Sequence, residues 1–242
     1  MKLLPPIENF NWSACSQLFG VNRETYEKKF GLPGHNALDM TFSGKPKNGY
    51  GERILAAHDG IVEKMIFDVP HSTKGNGVYL LSKDKTFSTI YWHLSDFTCS
   101  MGEEIKAGQT IGKAGNSGFV NPAPTKENPW AGVHLHFGIL RHDIPNNLYG
   151  GFVDPLPYLF TIGDKLPMSF SRDLSFGMEG DDVSWLQSIL ALEGYAPDYQ
   201  PIGFFGEKTL RDAKLFQSYY NIIPSMGYIG SKTRAIINTM YT

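Results

Sequence analysis

The hydrophobic pattern of this chain changes its period once, and that change limits the fold to two kinds of structure in series. From about residue 50, short apolar runs alternate with Gly, Asn and Asp, without helical periods between them. Runs at this spacing predict antiparallel strands rather than a doubly wound α/β sheet. After about residue 175, apolar side chains recur at helical spacing instead. The sequence therefore predicts a β-rich domain followed by a small all-α domain.

Turn residues divide the β-rich part into strands. Arg53–His58 and Ile61–Phe67 flank Asp59–Gly60, which predicts a hairpin. A second hairpin is predicted between Gly77–Ser82 and Thr86–Trp92. Two further apolar runs continue the series: Glu104–Gly112 and Val133–Leu140. The first 30 residues are expected to add only a short helix, within residues 16–30.

Three helices are predicted in the C-terminal part, beginning near Asp181, Glu207 and Ser231. Asp181 is a residue type that caps helix N-termini, and Gly194 is placed to end the first helix. Proline-rich residues 155–175 are expected to connect the two parts. We therefore predict two domains, residues 1–165 and residues 166–242, the second being a three-helix domain.

An internal repeat lies in the helical part. Gly203–Phe204–Phe205–Gly206, before the second helix, reappears as Gly227–Tyr228–Ile229–Gly230, before the third. Each copy is predicted to be an aromatic turn that leads the chain into a helix.

Composition excludes several classes of partner. With 22 basic and 24 acidic residues and a net charge of −2, the chain lacks the basic surface that nucleic acid requires. There is no apolar stretch of about 18 residues, so no membrane span is expected. The N-terminus lacks the apolar core of a secretory signal, so we expect synthesis without export, or a leader removed earlier. A monomer is expected, with Cys15 and Cys99 as two unrelated buried thiols.

Histidines occur in three short motifs that together suit a catalytic zinc site. His134 and His136 are two residues apart in an apolar run, so on a strand they face the same side. His35 and Asp39 form a second motif, and His93 a third. A catalytic zinc has three protein ligands and keeps a fourth position for water. His35, Asp39 and one histidine of the pair satisfy that count, and the remaining imidazoles have the pKa range for proton transfer.

In sequence order these motifs are His-x-x-x-Asp, Tyr-x-His-Leu and His-Leu-His-Phe, and they resemble the lysostaphin-like zinc metallopeptidases, the M23 or LytM family. Four other segments are also similar to that family: Ile54–Val62, Ile105–Gly112, Gly115–Gly118 and Val153–Pro155. The resemblance covers about residues 30–160. The segment before the first motif is shorter than the family's usual one, and no substrate-stabilising tyrosine is carried over from it.

The resemblance implies the roles of the site residues and the substrate. The zinc ligands would be His35, Asp39 and His136. His93 and His134 would be the catalytic histidines that orient water and stabilise the tetrahedral intermediate. The family's antiparallel sheets form a groove in which peptide bonds of bacterial cell-wall peptidoglycan are cleaved. Specificity within that polymer is expected to lie in groove loops such as Phe119–Trp130.

The C-terminal part resembles the peptidoglycan-binding domain 1 family over about residues 172–240. The features that carry this resemblance are Leu174–Gln187, the two aromatic turns and Phe216–Gln217. It implies an anchor on the same polymer, which raises the local substrate concentration without adding contacts to the active site. A catalytic domain joined to a cell-wall-binding domain is typical of a phage-type endolysin or a bacterial wall hydrolase.

The same residues suggest two other functions. A catalytically silent binding or regulatory protein would have lost a ligand, and here all five positions are filled. Two histidines and a carboxylate also form the iron triad of non-haem oxygenases, but that function leaves His93 and His134 without a role. Three further histidines belong to no motif and are assigned surface or structural roles: His58, His71 and His142.

Overall fold

The computed structural model describes residues 2–42, 44–69, 72–144, 147–161, 164–195 and 200–241. The chain forms two compact units. One consists of Met1–Ser16 with Ala37–Leu159, and the other of Gln17–Asn36 with Phe160–Thr242. The second unit thus combines the C-terminal helices with a segment from near the N-terminus, and the predicted limits at residues 165 and 166 stay a prediction.

The β-rich part contains two sheets. The strands are β1 Cys15–Gln17, β2 Leu38–Met40, β3 Arg53–Leu55, β4 Gly60–Ile66, β5 Asn76–Ser82, β6 Phe87–Leu94, β7 Asp96–Phe97, β8 Glu104–Ile105, β9 Thr110–Lys113, β10 Leu135–Arg141 and β11 Phe152–Val153. Among the described residues, eight strands form a sheet in the order β1-β2-β10-β6-β5-β4-β8, with β11 paired to β10. A second sheet has the order β3-β9-β7. The predicted β-rich antiparallel architecture is confirmed.

Successive side chains of the central strand β10 point alternately into the core and to the opposite face of the sheet. Leu135, Phe137 and Ile139 are completely buried on one face, where the Phe137 ring meets the edge of Tyr91 at 5.4 Å between centroids. His136 lies between them in sequence and therefore projects from the opposite face. The apolar residues of β10 stabilise the sheet, and the same strand carries a polar side chain to its other surface.

The predicted hairpin at Asp59–Gly60 is wrong. β3 ends at Leu55 and pairs with β9, whereas β4 pairs with β5 and β8. The intervening Ala56 and Ala57 donate their N–H groups to Gln109 O and to the Tyr91 hydroxyl, respectively. The residues expected to extend β3 therefore cross from one sheet to the other. The hairpin between β5 and β6 is confirmed, and the run expected at residues 104–112 forms two strands, β8 and β9.

The helices are α1 Arg23–Phe30, α2 Leu156–Leu159, α3 Asp181–Leu192, α4 Glu207–Tyr219 and α5 Ser231–Tyr241. The last three begin at the predicted residues, although their unit also contains α1. Asp181 is not the cap of α3: Gly180 occupies that position, and an Asp181 carboxylate oxygen accepts instead from the Asn22 N–H at 2.9 Å. No helix in the described part of the chain has the length and apolarity to cross a bilayer.

A glutamine of the preceding helix holds each copy of the repeated aromatic turn. Gln187 of α3 donates to Phe204 O at 2.8 Å, and Gln217 of α4 donates to Tyr228 O at 2.7 Å. The same amide groups also donate to a threonine of the following helix: Thr209 and Thr233. The sequence repeat is therefore a structural repeat, with one amide joining each turn to two helices.

Candidate active site

Asp39 and His136 are a cross-strand pair. Asp39 on β2 lies directly opposite His136 on β10, so their side chains share one face of the sheet. The His136 Nδ1 atom is 3.1 Å from Asp39 Oδ1, and the Nε2 atom of His134 is 3.6 Å from the same oxygen. Strand pairing therefore brings two motifs together that are about 100 residues apart in sequence.

His35 completes a cluster of three groups able to bind a metal. Ligand atoms of His35, Asp39 and His136 all lie within 4.8 Å of one another. His35 and His136 are buried, and Asp39 is partly so. The cluster thus contains the three residues that the sequence predicted as ligands. Their roles stay a prediction.

Three histidines are held in the same tautomer by backbone carbonyls. The Nδ1 atoms of His35, His93 and His134 lie 3.1, 2.8 and 2.8 Å from the carbonyl oxygens of Leu18, Ser117 and Gly132, respectively. A carbonyl oxygen only accepts, so each Nδ1 must carry the proton and each Nε2 a lone pair. Nε2 is therefore the atom of each ring that can bind a metal or accept a proton.

His93 reaches the site because β6 is bulged at that position. Asn76 pairs with Leu94 and Gly77 pairs with Trp92, so His93 is an extra residue between them. Its φ of 64° lies in the left-handed region, which residues other than glycine rarely adopt. A β-bulge redirects a side chain, and the His93 ring lies 4.7 Å from that of His134 and 5.7 Å from that of His136. Strain of this kind is characteristic of functional sites.

Burial lowers the pKa of His93 to about 3, and the charges that His134 and His136 can carry act in the same direction. The imidazole is therefore neutral at neutral pH. Because the Ser117 carbonyl retains the proton on Nδ1, the ring offers an acceptor at Nε2 and no charge. This is the form needed to orient a water molecule or to take a proton from it.

Trp92 is a site residue that the sequence motifs do not identify. Its ring stacks on that of His136, with 4.7 Å between centroids and 6° between planes. The two are cross-strand partners on β6 and β10, so the stack restricts the rotation of His136 about its side-chain bonds. The available signal was the position of Trp92 beside His93, but only the strand register shows which ring it meets.

The described histidines outside the three motifs are hydrogen-bonded to side chains of the sheet. The His58 Nε2 atom lies 2.9 Å from Thr89 Oγ1, and the His142 Nε2 atom lies 2.8 Å from Ser88 Oγ. His71 lies outside the described residues.

Both cysteines are buried and form no disulfide, and burial raises the pKa of the Cys99 thiol to about 11. Neither thiol is a reactive thiolate at neutral pH.

The donor set fits zinc better than it fits a harder cation. Two imidazoles and one carboxylate are the ligand types of catalytic zinc sites, whereas Ca²⁺ and Mg²⁺ take oxygen ligands. Two atoms bound to one tetrahedral zinc lie about 3.3 Å apart, close to the 3.1 Å between His136 Nδ1 and Asp39 Oδ1. The bond from His35 to the Leu18 carbonyl is the kind of interaction that orients metal-binding histidines.

The site lies within a segment that is similar to known peptidases. Residues 35–148 match the family model described as Peptidase family M23. Glycyl-glycine endopeptidase ALE-1 of Staphylococcus capitis is 35% identical over 89 residues, which are 37% of this chain and 21% of the relative. Peptidoglycan DD-endopeptidase ShyC of Vibrio cholerae is 37% identical over 97 residues, 40% of this chain and 19% of the relative.

Among solved structures, the catalytic domain of lysostaphin from Staphylococcus simulans has a TM-score of 0.43 at 22% identity, covering 59% of this chain and 89% of that domain. The chain spans about one fifth of the length of the two curated relatives.

Proposed function

Because residues 35–148 match peptidase family M23, we propose that this chain is a zinc-dependent endopeptidase that hydrolyses peptide bonds of bacterial cell-wall peptidoglycan. The observation that carries the proposal is the cluster of His35, Asp39 and His136, with two more imidazole rings beside it. Relatives named as a glycyl-glycine endopeptidase and a peptidoglycan DD-endopeptidase support this class of substrate.

In the proposed mechanism, His35, Asp39 and His136 hold the metal. When bound, zinc lowers the pKa of water to about 7 and polarises the scissile carbonyl. The protein's contribution is to keep the three ligands in position before the metal arrives. Strand pairing does this for Asp39 and His136, the Trp92 stack fixes the plane of His136, and a backbone carbonyl fixes the tautomer of His35.

His93 and His134 handle protons in this mechanism. Neutral His93 accepts a hydrogen bond from the attacking water at Nε2, and it takes the proton as the water adds to the carbonyl. The negative charge that develops on the substrate offsets the cost of charging a buried imidazole. His134, whose Nε2 faces Asp39, donates to the oxyanion in its protonated form. His93 then returns the proton it took from water to the leaving amine as the C–N bond breaks, which completes hydrolysis and restores the neutral imidazole.

The direct test is digestion of purified peptidoglycan by the full chain, followed by mass spectrometry of the released muropeptides. We expect new amino and carboxyl termini in the peptides, intact glycan strands, and loss of product after zinc is stripped by a chelator. Walls with glycine bridges, with direct cross-links and with uncross-linked stems would show which bond is cleaved. Full turnover by chelated, metal-free protein would contradict the proposal.

We further propose that the second unit binds the cell wall. It contains a cavity of about 400 Å³ whose lining includes Ile223, Met226 and Tyr228. Ile223 and Met226 are largely exposed to solvent, and Tyr228 is about half exposed. Exposed apolar and aromatic groups around a concavity are typical of binding surfaces. Tyr228 belongs to the second copy of the repeated turn, so the repeat contributes an aromatic residue to the cavity lining.

The anchor can be tested with the full chain by co-sedimentation with purified walls. Replacing Ile223 with Ser together with Tyr228→Ala is expected to weaken wall binding by about 10-fold, because two exposed contact residues are lost. Tyr219→Ala is the matched control, since Tyr219 is 71% exposed on α4 and does not line the cavity. Equal binding by both variants and the parent would show that the cavity does not contribute to wall binding.

A further inference from the structure

The segment that leads into His35 is attached to helix α3 of the C-terminal part. The Ser184 hydroxyl of α3 donates to the Gly20 carbonyl at 2.9 Å, and Ser184 is completely buried. Two positions after Gly20, the Asn22 N–H donates to the Asp181 carboxylate at 2.9 Å. Two side chains of the first turn of α3 thus bind the backbone of residues 20–22 directly.

Close packing accompanies these hydrogen bonds. Gly20 has a φ of 79°, and a Cβ atom there would lie 2.7 Å from the Pro201 carbonyl oxygen. A Cβ atom on Gly34 would lie 2.4 Å from the Gly20 carbonyl oxygen. Side chains larger than hydrogen would clash at both positions. The backbone around Gly20 is therefore enclosed between the C-terminal part and the residue that precedes His35.

The same short segment bonds to the backbone and to the ring of His35. The Gly20 N–H donates to the His35 carbonyl at 2.8 Å, and the His35 N–H donates to the Val21 carbonyl at 2.8 Å. The His35 ring donates from Nδ1 to the Leu18 carbonyl. Residues 18–21 thus set the backbone, the ring plane and the tautomer of His35, and α3 in turn holds residues 20–22.

We propose that helix α3 positions the metal ligand His35, with Ser184 and Asp181 as the positioning residues. This inference rests on the proposed function, because it takes His35 to be a zinc ligand. The C-terminal part then does more than tether the enzyme to its substrate: it also determines how well the metal is held. The affinity for zinc then depends both on His35, near the N-terminus, and on α3, in the C-terminal part.

The test measures zinc affinity in the full chain by competition with a chromogenic chelator. The double variant Asp181→Ala/Ser184→Ala is expected to weaken zinc binding by about 10-fold, the lower range for residues that orient metal ligands. Ser184→Ala alone should weaken it by a smaller factor. In Co²⁺-loaded protein, the visible spectrum should change, because the His35 ring is no longer held at one angle.

A matched double variant separates positioning from general loss of stability. Asp182→Ala/Thr233→Val also removes one carboxylate of the first turn of α3 and one buried hydroxyl. The Asp182 carboxylate is bonded to Arg172, and the Thr233 hydroxyl accepts from Gln217. We expect this variant to lower the melting temperature of the zinc-free protein without changing zinc affinity or the Co²⁺ spectrum.

The outcomes distinguish this inference from the proposed function. Parental zinc affinity in Asp181→Ala/Ser184→Ala, with Asp39→Ala unable to bind zinc, would overturn the role of α3 and leave the enzyme proposal intact. An equal loss of affinity in both double variants would also overturn it, because the effect would follow stability. A parent chain that takes up no zinc would overturn the proposed function itself.

Discussion

Replacing Asp39 with alanine is expected to abolish stoichiometric zinc uptake and to reduce turnover by on the order of 10³-fold. Asp39 is the carboxylate in the candidate ligand cluster, and its Oδ1 atom is close to both His134 and His136. Metal coordination supplies several kcal/mol of transition-state stabilisation, and a loss of about 4 kcal/mol corresponds to about 10³ in rate. Elemental analysis of the folded variant and release of peptides from purified walls measure the two effects.

Asp96→Ala is a suitable control for this prediction. Asp96 is an exposed carboxylate of the same unit and is paired with Lys113, and exposed pairs contribute little to stability. This variant is expected to retain zinc and turnover. If Asp39→Ala retained one zinc per chain and parental activity, the carboxylate would not be a ligand, and the metal mechanism would have to be abandoned.

Replacing His93 with asparagine is expected to leave zinc content unchanged and to reduce turnover by about 10²–10⁴-fold, the usual contribution of a general acid–base group. Asparagine is the better substitution because it tolerates the left-handed backbone that His93 adopts, whereas alanine would add strain. Its amide can still donate to the Ser117 carbonyl. The change therefore removes the proton acceptor and preserves the bulge.

The matched control is His142→Asn, which alters a histidine bonded to Ser88 in the same unit but outside the ligand cluster. It should change neither zinc content nor turnover. Kinetics at saturating substrate separate a loss of turnover from a loss of binding. Parental turnover in His93→Asn would show that His93 does not transfer protons, and a loss of zinc would show that it is a ligand instead.

The role proposed for α3 affects how a loss of activity on removal of the C-terminal part is interpreted. A pure tether can be removed without effect on small substrates, because it acts only through local concentration. If α3 positions His35, removal of the C-terminal part takes away the Ser184 hydroxyl and the Asp181 carboxylate that bond to residues 20–22. The neighbouring backbone groups that bond to the His35 backbone would then lose their support. Loss of activity on truncation would then reflect the metal site as well as wall binding.

Much of the candidate site could be predicted from local sequence. His134 and His136 share a face on any strand, because the period of two is a property of the backbone. His35 and Asp39 are close in sequence, and the chain order of the three motifs resembles that of one family. The C-terminal helices were also predictable, since their apolar period and their turn residues agree.

Other features depended on pairing that no local pattern specifies. The Asp59–Gly60 turn has hairpin chemistry, yet β3 pairs with β9 in the second sheet. Ala56 then donates to Gln109 O beside β9, and Ala57 donates to the Tyr91 hydroxyl of the first sheet. Asp181 has cap chemistry, yet its carboxylate binds Asn22 across a long sequence separation. In both cases a tertiary contact outweighed the local preference of the residue.

The amino-acid sequence by itself determined the kinds of element, the chemistry of the five candidate residues and the order in which they occur. Only the tertiary structure decided that Asp39 faces His136 across β2 and β10, that a bulge turns His93 into the site, and that α3 holds the segment before His35. The physical reason is that backbone periodicity acts between neighbouring residues. Strand register, bulges and hydrogen bonds to distant carbonyls arise only when separate segments pack together.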